Sequence, residues 1–193
     1  MTGGTALSGF YLRHRFSEDL DFFSEDEFDA KQLLVSVSRL GDKLKLTKID
    51  HQNLTGQDTF FLYFDEKNFV KVDFSFFPFK HVGSYKKIGN LRISSVEDIA
   101  INKVHAITTR QRSRDYLDLY LSMRHLNWHN EDLVKNYRLK FDVSISAIQL
   151  ATSFVNITDV KDLPKFLGNQ DWNEVVSFFL NGAKELKEDV LST

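Results

Sequence analysis

The sequence predicts an α+β protein, with strands and helices mixed in its first half and helices alone in its second. Three observations carry this. Phe60–Phe64 and Phe69–Phe77 read as paired strands around a turn, Asp65-Glu66-Lys67-Asn68. Asp19–Phe23 is a shorter run of strand period. From Ser94 onward apolar residues recur mostly at helical spacing. The expected division is a strand-bearing core over 1–93 and a helical region over 94–193.

Each element follows in order. Gly3-Gly4 reads as loop, and Leu7, Phe10 and Tyr11 make a helical face behind it. Asp19–Phe23 is the first strand. Ser24-Glu25-Asp26 resembles a helix start, continued by Phe28 through Leu40 with Leu33, Val37 and Leu40 on one side. Leu44–Asp50 is a strand candidate. In Phe69–Phe77, Lys71, Asp73 and Ser75 share one face and Val70, Val72, Phe74 and Phe76 the other, until Pro78 ends the run. Leu91-Arg92-Ile93 is short and extended. Ser94 and Glu97 have capping-box spacing ahead of a helix running to about Thr109. Ser113–Arg124 is a second helix, with Tyr116, Leu117, Tyr120 and Leu121 as its buried stripe. After Asn130 the chain reads as helix, with breaks near Asn156 and Gly168-Asn169.

Bulk composition narrows the function classes. The 193 residues suffice for a substantial core, and the net charge of −2 is not that of a general polyanion binder. The absence of cysteine excludes disulfides, thiolate zinc sites and a cysteine nucleophile, and fits a reducing cytoplasm. The first residues carry no basic run followed by an apolar one, so no secretory signal is expected. No apolar stretch approaches the roughly 18 residues a membrane span needs. The six histidines lack zinc-ligand spacing, and no G-x-S-x-G sequence supports a serine hydrolase.

The residues that suggest chemistry are acidic. On a strand, Asp19 and Asp21 point to one face and Leu20 to the other. Two carboxylates aimed together repel, and a hard divalent cation is a physical reason to hold them so. The plain alternative is a pair of solvated acids at a strand end. Asp73 is the natural third carboxylate, unless it simply pairs with Lys71 across the strand surface. Lys103 lies in an otherwise apolar helix, either snorkelling to water or neutralising phosphate charge. Arg114 and Asp118 stand at i, i+4, the spacing of an intrahelical ion pair, while Asp115 and Asp118 border the core. His14 reads as a structural hydrogen-bonding residue. A glycine pair, Gly3-Gly4, would let a phosphate approach the backbone closely.

Taken in order, Gly3-Gly4-Thr5-Ala6-Leu7, His14-Arg15-Phe16-Ser17-Glu18-Asp19-Leu20-Asp21-Phe22-Phe23, Asp73, Lys103 and Arg114-Asp115-Tyr116-Leu117-Asp118-Leu119 resemble one pattern. It is that of the AbiEii-type nucleotidyltransferases, the toxins of abortive-infection toxin–antitoxin systems. The H-R-x-S-x-D-L-D-F-F string is its most specific part, and the resemblance spans Gly3 to about Met123. It implies a polymerase-β-like nucleotidyltransferase core. Asp19, Asp21 and Asp73 would be the metal ligands for Mg²⁺, with two ions sharing them. The implied catalytic set is Asp19, Asp21, Asp73, Lys103 and Asp118. The implied nucleotide-binding set is Gly3, Gly4, Thr5, Arg15, Ser17, Lys103 and Asp115. NTP would be the substrate, tRNA or another RNA the acceptor, and a cognate antitoxin the partner. Alternatives are a catalytically silent nucleotide- or partner-binding module and a small-molecule nucleotidyltransferase. The resemblance also implies a helix and strand ahead of the glycine pair, where this sequence has Met1-Thr2. A sheet edge left unpaired there would offer a route to a homodimer by strand pairing.

Overall fold

The computed structural model describes residues 1–163, 165–168 and 170–191. Gly3–Leu7 forms a short helix, α1, which widens into a π-helical turn over Ser8–Leu12 and stops where Arg13 turns left-handed at φ 49°. Then come β1 (Asp19–Ser24), α2 (Ala30–Leu44), β2 (Lys48–Leu54), β3 (Gln57–Tyr63) and β4 (Phe69–Phe76). A hairpin of β5 (Lys86–Ile88) and β6 (Leu91–Ile93) leads to α3 (Val96–Thr109), α4 (Ser113–Leu126), α5 (Asn130–Phe141), α6 (Ala147–Val155) and α7 (Trp172–Leu191). A 3₁₀ turn, Asn156–Asp159, follows α6. No helix among the described residues is long and apolar enough to cross a membrane.

The main sheet has the order β1-β4-β3-β2. β1 and β4 run parallel with Asp21 opposite Asp73, and β3 is antiparallel to both β4 and β2. Alternation gives its two faces different fates. Leu20, Phe22, Phe60, Leu62, Val72 and Phe74 point to the face covered by α2 through Leu33 and Val37. The acids of β1 and β4 point to the opposite face. A second, larger core belongs to the helices. α3 is apolar nearly all round, with Ile99, Ala100, Ile101, Val104 and Ile107 fully buried, as expected of a helix enclosed by others. Tyr116, Leu117 and Leu119 of α4 are equally buried, and Tyr116 donates to the Ser153 carbonyl at 2.8 Å.

Several boundaries differ from expectation for identifiable reasons. α2 begins at Ala30, because β1 continues through Ser24 and Asp29 is the residue whose carboxylate accepts from the Lys31 amide, at 2.8 Å. Leu44 ends that helix, so β2 starts only at Lys48 and extends through the polar His51, Gln52 and Asn53. The cap of α3 is Ser95, which accepts from the Asp98 amide at 3.2 Å, one residue later than the Ser94–Glu97 spacing suggests. Leu40 is exposed and Leu121 only partly buried. A break between α5 and α6, where Asp142 turns left-handed at φ 56°, is not signalled by glycine or proline. Of the expected Gly168-Asn169 break, Gly168 has a φ of 103° and Asn169 lies outside the described residues. The edge of β1 expected to stand open meets Thr2, whose amide donates to the Asp21 carbonyl at 2.8 Å. Met1 in turn pairs with the β6 side: its ammonium donates to the Arg92 carbonyl and its carbonyl accepts from the Ser94 amide.

Candidate active site

The glycine pair is required by what lies against it. Gly3 adopts φ 73°, a left-handed conformation natural to glycine, and a Cβ there would stand 2.1 Å from Asp21 Oδ2. A Cβ on Gly4 would stand 1.8 Å from Arg15 Nη2. The backbone thus passes directly over one carboxylate and one guanidinium. Thr5 Oγ1 donates to the Asp19 carbonyl and accepts from Ser17 Oγ at 2.8 Å, pinning the start of β1 to α1.

The sheet brings the three predicted carboxylates onto one face. Asp21 and Asp73 are opposite each other on neighbouring parallel strands, and Asp19 lies two residues before Asp21 on the same side. Thr59 of β3 donates to Asp73 Oδ1 at 2.5 Å, and Lys71 forms an ion pair with the other oxygen. Asp19 receives a longer ion pair, 3.6 Å, from Arg114. Burial pushes the Asp21 carboxyl above its ordinary range; Lys103 pulls it back, while Asp73 and Asp19 raise it further.

Behind these acids lies a buried ionic network. Asp118 of α4 is fully buried. Arg15 grips it in a two-pronged fashion, Nε at 2.7 Å and Nη2 at 2.8 Å, and His14 Nε2 lies 2.8 Å from Oδ1. Lys103 Nζ is 2.8 Å from Asp118 and 2.6 Å from Asp115. Arg110 Nε closes the network on Asp115 at 2.8 Å. Burial alone would raise the Asp118 pKa; Lys103, Arg15 and His14 outweigh it and hold the carboxyl far below its ordinary range. Burial likewise opposes charge on Lys103, but Asp118 and Asp115 keep its pKa raised.

This arrangement decides against two of the alternatives the sequence left open. Lys103 does not snorkel: its amine ends between two buried carboxylates. Arg114 does not pair with Asp118 at i+4, because Asp118 faces inward and Arg114 reaches Asp19 instead. Of the predicted nucleotide-binding residues, Gly3, Gly4, Thr5, Arg15 and Ser17 gather around the start of β1, and Lys103 and Asp115 stand behind Asp21. Arg15 and Asp115 are both spent on ion pairs. The Lys71–Asp73 pairing that the strand alternation allowed is present. Thr59, the other partner of Asp73, is not singled out by the sequence, because its signal is register between strands, which one sequence does not display.

Do these residues suit a divalent cation? The donors are carboxylate oxygens, the right chemistry for Mg²⁺. Burial first, and then Asp73 and Asp19, raise the Asp21 pKa against Lys103. Among the described residues no three acidic or histidine groups form a ready cage. Asp73 is turned toward Thr59 and Lys71, so ligation by all three acids requires it to leave Lys71. The donor chemistry suits a cation, with Asp19 and Asp21 as candidate ligands and Asp73 as a candidate third.

A family model described as the nucleotidyl transferase AbiEii toxin of type IV toxin–antitoxin systems matches residues 1–190. The chain belongs to the AbiEii family. It is accordingly a nucleotidyltransferase of a toxin–antitoxin system. The uncharacterized protein aq_aa25 of Aquifex aeolicus (strain VF5) is 32% identical over 196 aligned positions, covering 98% of this chain and 88% of that protein. Two Helicobacter pylori structures share the α+β fold. JHP933 matches at TM-score 0.60 and 20% identity, covering 99% of this chain and 84% of that one. A second, assigned as a nucleotidyltransferase, matches at TM-score 0.59 and 19% identity, covering 99% and 87%. At these identities the two structures bear on the AbiEii fold alone.

Proposed function

We propose that this AbiEii protein transfers a nucleotidyl group from an NTP to an acceptor hydroxyl on RNA, tRNA being the leading candidate, with Mg²⁺ as cofactor. The observation that carries the reading is Asp21 in register with Asp73 on adjacent parallel strands, under a backbone that only glycine allows. Asp19, Asp21 and Asp73 would hold the metal, which when bound neutralises charge on the phosphates and lowers the pKa of the attacking hydroxyl.

The protein's own groups do the rest. Asp73, oriented by Thr59, accepts the acceptor's proton as its oxygen attacks the α-phosphate and pyrophosphate departs. Arg110 is about half exposed and spends its Nε on Asp115, leaving its other N–H groups to meet the leaving phosphates. Lys103 acts on Asp21 through its field rather than by contact with substrate. Asp118, bonded by Arg15, His14 and Lys103, is a positioning residue: it holds Arg15 against Gly4 and Lys103 behind Asp21. The binding partner expected of a toxin is its cognate antitoxin.

One observation favours a second reading. Lys71 pairs with Asp73 as a built-in cation, as in a silent module that binds nucleotide without turning it over. Tight Mg²⁺·NTP binding with no pyrophosphate release would select that module. The deciding experiment incubates the chain with Mg²⁺, each labelled NTP in turn and total tRNA, beside the Asp19→Asn/Asp21→Asn variant. Label on RNA from the wild type alone is the expected result. Undiminished transfer by the double variant overturns the assignment.

A further inference from the structure

A cavity of about 240 Å³ opens beside Asp21, and the groups that shape its far side have no part in the proposed chemistry. Phe23 and Phe77, from the carboxyl ends of β1 and β4, form one wall with ring centroids 4.4 Å apart. Phe23 is 39% exposed, although it lies within β1, two residues beyond Asp21. α3 forms the opposite wall, and Asn102 and His105, one turn apart on that helix, both line the space. Asn102 Oδ1 is buried and has no hydrogen-bond partner among the described residues. His105 is exposed, and its Nδ1 lies 3.1 Å from the Tyr137 hydroxyl.

A cavity whose surface is mostly apolar is the usual form of a small-ligand site, and a buried amide oxygen without a partner is a group a ligand can satisfy. Aromatic walls with one amide suit a flat ring carrying donors and acceptors at its edge. The cavity begins at the carboxylate that faces the phosphates. We propose, resting on the nucleotidyltransferase reading above, that this cavity is the nucleobase subsite and that Asn102 sets the preference among NTPs. Phe23 and Phe77 supply the stacking surface, which every base can use. The Asn102 amide offers one donor side and one acceptor side, which bases of different edge pattern do not match equally. Base choice therefore resides at the residue next to Lys103, outside the carboxylate cluster.

The test is equilibrium titration with ATP, CTP, GTP, UTP and inorganic tripolyphosphate, all with Mg²⁺, of the wild type, Asn102→Leu and Phe23→Ala. The wild type is expected to separate its best and worst NTP by about tenfold or more. Asn102→Leu should collapse that spread, and Phe23→Ala should weaken all four NTPs by a similar factor, about tenfold. Tripolyphosphate, which has no base, should bind all three proteins alike, and so reports that the variants are folded. Equal binding of the four NTPs by the wild type overturns the inference, as does an unchanged order and spread in Asn102→Leu. Parallel loss of tripolyphosphate in either variant also overturns it, because the residue would then serve the phosphates or the fold. A wild type that binds neither NTP nor tripolyphosphate removes the nucleotidyltransferase reading itself, and the subsite with it.

Discussion

At the scale of single residues, the candidate site is governed by close approach and unbalanced charge. Gly4 is an example of a residue whose importance lies in what it omits. Its backbone is overlaid by Arg15, and Gly4→Ala should push the guanidinium away from Asp118. Overpacking of that kind costs about 1–3 kcal/mol, readable as a lower midpoint in urea unfolding. Asp21 has the opposite character. Its folded pKa is raised, so the folded state holds this proton more tightly than the unfolded chain does. Stability is therefore lost as pH rises from the ordinary 3.8 through the folded value, and the deficit persists above it. Asp21→Asn should then melt higher than wild type at pH 7 without metal, the difference vanishing in acid. Added Mg²⁺ should raise the wild-type Tm by mass action and leave the variant unmoved. A wild-type Tm insensitive to Mg²⁺ would count against these acids as ligands.

At the scale of elements, the start of α3 shows how local signals compete. Ser94 and Ser95 both offer a capping hydroxyl, and Ser95 is chosen. The choice is made by Asp98, which receives the Val82 and Gly83 amides at 3.1 Å each and Lys140 of α5 at 2.6 Å. Those partners fix the first turn, and with it which serine stands at the cap. Ser95→Ala should lose about 1 kcal/mol in chemical denaturation, the ordinary loss for a cap, and Ser94→Ala distinctly less. Equal losses would show that the cap is shared. The same logic explains α2 and β2. Their interiors are legible from apolar spacing, but their ends depend on where β1 stops and on pairing with β3.

At the scale of the whole molecule, one carboxylate joins the sheet to the helices. Asp118 on α4 binds Arg15 and His14 from the segment before β1, and Lys103 from α3. Asp118→Asn would leave two buried cations short of a counter-charge, a change that costs about 3–5 kcal/mol when a buried pair is broken. Amide exchange should accelerate first around residues 14–24 and later, or not at all, in α5 to α7. Uniform acceleration would mean that the two parts unfold as one. The sign with pH is opposite to that of Asp21. Because the folded Asp118 pKa is depressed, its contribution is complete above the ordinary 3.8 and is lost as pH falls toward the folded value. Acid unfolding of the wild type should therefore be steeper than that of Asp118→Asn.

The residues themselves settled more than the fold class. The alternation in Asp19–Phe23 and Phe69–Phe77 put Asp19, Asp21 and Asp73 on polar faces of strands whose other faces are apolar, because strand period is a local property. The order of motifs from Gly3-Gly4 to Asp118 was enough to suggest the AbiEii family. What the chain could not announce was partnership at a distance. That Arg15 lies on Gly4, that Asp118 takes Arg15 and Lys103 rather than Arg114, and that Thr59 takes Asp73 all depend on register between strands and on helix packing. Each of those contacts joins residues with no fixed spacing in sequence. The choice among oppositely charged partners falls to burial, since a charge that loses its water must take the nearest counter-charge the fold provides.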